Sequence, residues 1–149
     1  MSMQLTVSGF ANGGGIPKRH TCEGEDVSPA MAWTGAPDGT RSFLLIVDDP
    51  DAPAGTWNHW RLYDLPAATK ALPEGGSAGR SGTNDFGRPG YGGPCPPRGH
   101  GPHRYFFKLF AMSAASVGLR DGAKRADLDR AMQGKILAEA QYMGGYERR

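Results

Sequence analysis

The stretch RSFLLIVDDPDAPAGTWNHWRLYDL, residues 41–65, decides how the chain folds. Its apolar run FLLIV is short and bounded by turn formers, with Gly39 and Thr40 before it and Asp49 and Pro50 after it. A strand with apolar residues on both faces is buried on both faces, which predicts residues 41–48 as a central strand of a sheet. WRLYDL, residues 60–65, reads as a second strand, and HRYFFKLFAM, residues 103–112, as a third with large side chains on either face. Residues 4–10 alternate in part, through Leu5 and Val7.

Outside these strands, residues 73–93 are rich in glycine and poor in large apolar side chains, so they are predicted as a long loop of the kind that carries function or motion. Residues 124–138 are the one predicted helix, with Leu128, Met132 and Ile136 at helical spacing, Ala131 on the same face, and Asp127 and Asp129 early in it. Gly134 weakens its middle by about 1 kcal/mol relative to alanine, so the helix depends on docking. Residues 139–146 are expected to close the fold as an edge strand. The sum is a mainly β chain, expected as a single domain over residues 1–149.

Composition excludes several function classes. The formal charge of +2 comes from 17 basic and 15 acidic side chains that form no basic stripe, so a nucleic-acid partner is not expected. No apolar run approaches the roughly 18 residues of a membrane span, and the first residues lack the basic and apolar regions of a secretory signal. The expected location is cytoplasmic. Cys22 and Cys95 are too few for a disulfide framework and are not spaced as CxxC. Two buried or half-buried thiols are the default expectation, with a single Cys22–Cys95 bond as the alternative.

The chemistry concentrates in DDPDAPAGTWNHW, residues 48–60, and GGPCPPRGHGPHRYFF, residues 92–107. Both are stiffened by prolines, and both carry histidine among aromatics. Across residues 93–97, three of five peptide nitrogens belong to proline and have no hydrogen to donate, so side chains must supply the donors of any anion site. His59 and His103 can do so, and their ordinary pKa near about 6.5 lets either become cationic. Asp49 can orient an imidazole or meet a ligand ammonium, Tyr105 adds a neutral hydroxyl, and Trp57 and Trp60 offer an aromatic rim. The sharp turn after Asp49 is expected to need a cis bond at Ala52–Pro53.

These motifs resemble the signature regions of the phosphatidylethanolamine-binding protein family, in particular its bacterial, Raf-kinase-inhibitor-like branch. The likeness extends through IPKRHTCEGEDVSPAMAW (16–33), GTRSFLLIVDDPDAP (39–53), NDFGRPGYGGPCPP (84–97) and the final GGYERR, and so spans most of the chain. It implies two antiparallel β-sheets packed face to face, a helix near the C-terminus, and a small anion pocket at one edge. It assigns that pocket to Asp49, His59, His103 and Tyr105, with Pro97 beneath, and it implies a homodimer. Departures from the family pattern fall at His20, Ala30 and Phe110, outside the pocket.

Blander readings stand beside these. His20 and His100 lie in loops with nothing evident to orient them, Asp48 and Asp51 suit turn caps, and Trp33 suits the core. The leading reading is a non-enzymatic module that binds phosphorylated or carboxylated groups of a phospholipid headgroup, a metabolite or a protein side chain, and that acts as a kinase- or protease-inhibitor-like regulator, without a cofactor. The alternatives are a hydrolase using Cys95 with His103 or His100 as base, and a metal site at Asp49, His59 and His103.

Overall fold

A computed structural model describes residues 2–149. Along the chain run β1 (Gln4–Val7), β2 (Met31–Thr34), β3 (Ser42–Asp49), β4 (Trp57–Pro66), β5 (Ala71–Leu72), β6 (Arg80–Ser81), β7 (His103–Met112), α1 (Arg125–Met132) and β8 (Ile136–Tyr146). They form two antiparallel sheets, one in the order β1-β2-β5 and one in the order β6-β4-β3-β7-β8. The FLLIV strand is therefore central in the larger sheet, as its apolar run predicts.

Alternation along β3 explains the layering. Phe43, Leu45 and Val47 point into the core between the sheets with Leu5, Val7, Trp33, Phe107 and Leu109. Leu44 and Ile46 point the other way, into a second cluster closed by Leu128 and Met132 of α1. Each large side chain so buried contributes about 1.5–3 kcal/mol relative to its exposed state, which is why no polar residue interrupts the run. The helix is held over this second face by Arg125, whose Nη1 donates to both oxygens of the buried Asp48 at 2.7 and 2.9 Å. Asp48 thus anchors a helix and does not cap a turn.

Two bulges in β4 adjust what faces where. Opposite Leu44 the register slips at Tyr63 and Asp64, and Asp64 adopts φ 58°, a left-handed conformation that aspartate tolerates. Its carboxylate then accepts from Val117 N–H at 2.9 Å and Ser116 Oγ at 2.7 Å, steering the chain toward α1. The second slip falls between the pairs Val47–Trp60 and Asp48–Asn58, leaving His59 as the extra residue. Trp60 keeps its place in the inter-sheet core, buried to 2%, so it is not a rim residue.

The structure corrects further expectations, among them the 73–93 loop, in which Arg80 and Ser81 pair with Tyr63 and Leu62 as β6. The helix stops at Met132, because Gly134 turns the chain with φ 76° and Ile136 pairs with Met112 as the first residue of β8. Ile136 shares helical spacing with Leu128 and Met132 by coincidence and is 46% exposed. The edge strand consequently begins before residue 139. Among the described residues every peptide bond is trans, Ala52–Pro53 included. The turn after β3 is made instead by Asp49 Oδ1 accepting from Asp51 N–H at 2.7 Å and by Gly55 N–H donating to the Ala52 carbonyl at 3.1 Å.

Finally, Cys22 and Cys95 form a disulfide with their Cα atoms 5.4 Å apart. A second tie runs beside it, from Cys22 N–H to the Pro94 carbonyl at 3.1 Å.

Candidate functional site

One end of the inter-sheet face is polar. Residues 103, 105, 107 and 109 of β7 share that face, and so do 43, 45, 47 and 49 of β3, so the alternation that buries Phe107 and Val47 also delivers His103, Tyr105 and Asp49 to the sheet's end. The bulge at His59 adds a fourth side chain there without removing Trp60 from the core. All five residues expected from the sequence, Asp49, His59, Pro97, His103 and Tyr105, line one cavity of about 190 Å³. Most of the remaining wall is apolar: Ala52, Pro53, Trp57, Phe86, Cys95 and Pro96.

The 84–93 loop is laid against the start of β4 by a reciprocal pair of contacts, one backbone and one through a side chain. Asp85 N–H donates to the Asn58 carbonyl at 3.0 Å, while Asn58 N–H donates to Asp85 Oδ2 at 2.6 Å. Asn84 bridges its own loop, accepting from Phe86 N–H at 3.0 Å and donating to the Gly90 carbonyl at 2.9 Å. Phe86 is thereby set 5.3 Å from the His59 ring and 5.5 Å from Trp57, edge-on to both. It is the one phenylalanine of that loop, which is the signal that could have found it.

His59 is fixed by the same loop. Its Nδ1 lies 2.7 Å from the Gly92 carbonyl, an acceptor only, so Nδ1 carries the hydrogen and Nε2 is the free nitrogen. Burial pushes the His59 pKa down, and the Gly92 carbonyl and Asp49 oppose that only in part. The ring is therefore neutral at neutral pH, and Nε2 is an acceptor.

Both oxygens of Asp49 are engaged. Oδ1 accepts from Asp51 N–H, and Oδ2 accepts from His103 Nδ1 at 2.7 Å, with both side chains buried. Asp51 faces outward and holds Arg104 through Nε at 2.9 Å and Nη2 at 2.8 Å. The Arg104 guanidinium lowers the Asp51 pKa to about 2. Asp51 is accordingly an ion-pair residue and not a turn cap.

The hydroxyl of Tyr105 has no such partner. It is buried with no hydrogen bond of ordinary geometry, and burial, then the Asp49 charge and the closeness of that carboxylate, push its pKa up, so it remains a phenol with a proton to donate. An unsatisfied buried hydroxyl costs about 1–3 kcal/mol.

Further expectations change here. His100 is not idle: its Nδ1 lies 2.6 Å from Nε2 of His103. The spacing HGPH, two histidines three residues apart before the HRY motif, was the available sign. His20, by contrast, bonds the Val27 carbonyl at 2.8 Å and stays clear of the cavity, as expected. The hydrolase alternative loses its nucleophile, since Cys95 is disulfide-bonded. Among the described residues no group of three or more histidine, cysteine or acidic side chains is placed to hold a metal ion, so the metal alternative has no support either.

Known proteins resemble this chain closely. A family model for phosphatidylethanolamine-binding protein matches residues 6–147. A UPF0098 protein of Aquifex aeolicus (strain VF5) is 54% identical over 152 residues, covering 98% of this chain and 89% of the relative. Among solved structures, a putative phosphatidylethanolamine-binding protein homolog, CT736 of Chlamydia trachomatis, superposes with a TM-score of 0.93 at 37% identity, covering 99% of each chain. Escherichia coli YbcL, described as a new member of the mammalian family, superposes with a TM-score of 0.92 at 32% identity over 100% of each chain.

Proposed function

Since the chain belongs to the phosphatidylethanolamine-binding protein family, in its bacterial branch, we propose that it is a non-enzymatic module whose cavity takes a phosphoryl or carboxyl group of a lipid headgroup, a metabolite or a protein side chain. The observation that carries this reading is the buried Tyr105 hydroxyl without a hydrogen-bond partner, on a cavity-lining residue whose ring packs edge-on to that of His59 at 5.1 Å, with His59 Nε2 free. The phenol donates and the neutral imidazole nitrogen accepts, so the pair suits a group that brings one acceptor and one proton, such as a singly charged phosphate monoester. A dianion binds only as His59 takes up a proton, which the anion's charge then favours. Trp57, Phe86 and the prolines give an apolar surface for whatever carries the group, including an ammonium against the tryptophan face.

Regulation of a kinase or protease follows, in this proposal, from the cavity holding a phosphorylated or carboxylated side chain of the partner. The homodimer is proposed on family grounds, with Ile136 and Leu137 exposed at the head of edge strand β8 as the candidate contact. Light scattering on the purified chain decides it. No helix among the described residues is long and apolar enough to cross a membrane. The cytoplasmic placement is a further proposal, in tension with the disulfide because cytosolic thiols are ordinarily kept reduced. Alkylation of Cys22 and Cys95 in whole cells before lysis tests it.

The central test is calorimetric titration of the full chain with phosphoethanolamine, inorganic phosphate and acetate, against Tyr105→Phe. Saturable binding that weakens about two- to tenfold in the variant, the span of one neutral hydrogen bond, supports the reading. No binding of any probe removes it.

A further inference from the structure

His103 has no nitrogen to spare for a ligand. Its Nδ1 faces Asp49 Oδ2 at 2.7 Å, and a carboxylate oxygen has no hydrogen to give, so Nδ1 carries the proton. Its Nε2 faces His100 Nδ1 at 2.6 Å, with the two rings 4.9 Å apart and nearly edge-on at 68°. Nitrogens at that distance share one hydrogen. Either His100 donates to a neutral His103, or a His103 imidazolium donates to His100.

The two partners of His103 differ in how firmly they are held. Asp49 is buried in β3 and tied to Asp51 N–H. His100 is exposed, on the connection between the proline segment and β7, and the bond to His103 is the only side-chain hydrogen bond it makes among the described residues. Gly99 and Gly101 flank it with φ 75° and 88°, and neither has a neighbouring atom within 4 Å of where a Cβ would stand. The glycines on either side of the ring can adopt backbone conformations closed to other residues. Its two local anchors are Gly99 N–H to the Arg148 carbonyl at 3.0 Å and His100 N–H to the Pro97 carbonyl at 3.2 Å.

We propose that His100 is an intramolecular stand-in for the ligand at His103. Its ring occupies the position a bound oxyanion needs on Nε2, and ligand entry turns it away on the glycine-flanked segment. The inference rests on the anion cavity proposed above and adds to it the residue that sets its affinity: the measured constant is the intrinsic one reduced by the His100 contact. Released from His100, Nε2 of His103 is a second nitrogen that can meet the anion beside Nε2 of His59.

The test is calorimetric titration at pH 7 with inorganic phosphate and with phosphoethanolamine, using the wild type, His100→Ala, His100→Asn and His103→Ala. His100→Ala should bind about two- to tenfold more tightly, the span of one neutral hydrogen bond. His100→Asn, whose amide reaches the Nδ1 position, should return affinity toward the wild type, and His103→Ala should lose the gain. Imidazole ¹⁵N spectra supply a readout without ligand: the His100 and His103 signals should be coupled in the free chain and separate on saturation with phosphate. If the wild type binds and His100→Ala binds equally or more weakly, the stand-in is wrong and the cavity stands. If no variant binds either probe while the spectra show the pair intact, the anion cavity itself is wrong and this inference falls with it.

Discussion

Asp49 and His103, 54 residues apart in the chain, meet through a 2.7 Å contact between Oδ2 and Nδ1 with both side chains buried. The contact joins the ends of two neighbouring strands and sets which nitrogen of His103 can face anything else. It also means that each oxygen of the buried carboxylate already accepts one hydrogen bond within the protein.

Replacing Asp49 by asparagine keeps the shape but leaves one acceptor where two donors converge, from Asp51 N–H and His103 Nδ1. Leaving one of them unpaired costs about 1–3 kcal/mol, so the melting temperature should fall, and phosphate affinity should fall with it as His103 loses its orientation. An Asp49→Asn chain as stable as the wild type would show that the contact does not order the site.

Tyr105→Phe should do the opposite in the free chain. The hydroxyl has no partner, so its removal should leave the melting temperature unchanged or raise it, while weakening phosphate binding. Denaturation of the ligand-free variant checks the first half. A clear loss of stability would mean that the hydroxyl is bonded in the free protein.

His59 makes stability depend on pH. Its folded pKa lies below the ordinary 6.5, so below that value the unfolded chain binds a proton that the folded chain refuses. Stability should therefore drop as pH falls from about 6.5 toward the folded value, and His59→Gln should flatten that part of the curve. Asp51, held near 2 by Arg104 against a usual 3.8, contributes stability that is present above 3.8 and is lost only as pH falls toward 2, so the two effects fall in separate windows. Urea titrations at pH 7.5 and 5.5 on both chains measure the first. Ligand affinity should run the other way and be higher at pH 5.5, because a bound anion favours protonated His59.

The Cys22–Cys95 bond spans a sequence separation of 73 residues. Closing a loop of that length removes unfolded-state entropy worth about 4 kcal/mol, and the realised figure is commonly about 2–4 kcal/mol. The double variant Cys22→Ser, Cys95→Ser should show that loss in chemical denaturation. Equal midpoints for the variant and the oxidised wild type would mean that neighbouring contacts, such as Cys22 N–H to the Pro94 carbonyl, already hold the junction.

What nearest neighbours impose was legible in the chain alone. FLLIV between turn formers marks a strand covered on both faces, and the HRYFFKLFAM strand matches β7 residue for residue. The five residues expected together do line one cavity, because two local motifs carry them and the family resemblance paired the motifs. Local pattern failed where a distant partner decides. The Leu128, Met132, Ile136 spacing continues past Gly134, but Ile136 is taken by Met112 across the sheet edge, since a strand partner satisfies its backbone and a further helical turn would not. Asp48 reads as a turn former until Arg125 is brought over it, and Cys22 and Cys95 read as separate thiols until the 84–97 segment folds back beside the N-terminal loop. His100 had nothing to orient it in sequence and finds His103 only when the connection into β7 is in place. Hydrogen bonds, ion pairs and disulfides act over a few ångströms, so their partners are chosen by which strand ends the packed core brings together, and no local window of the chain contains that choice.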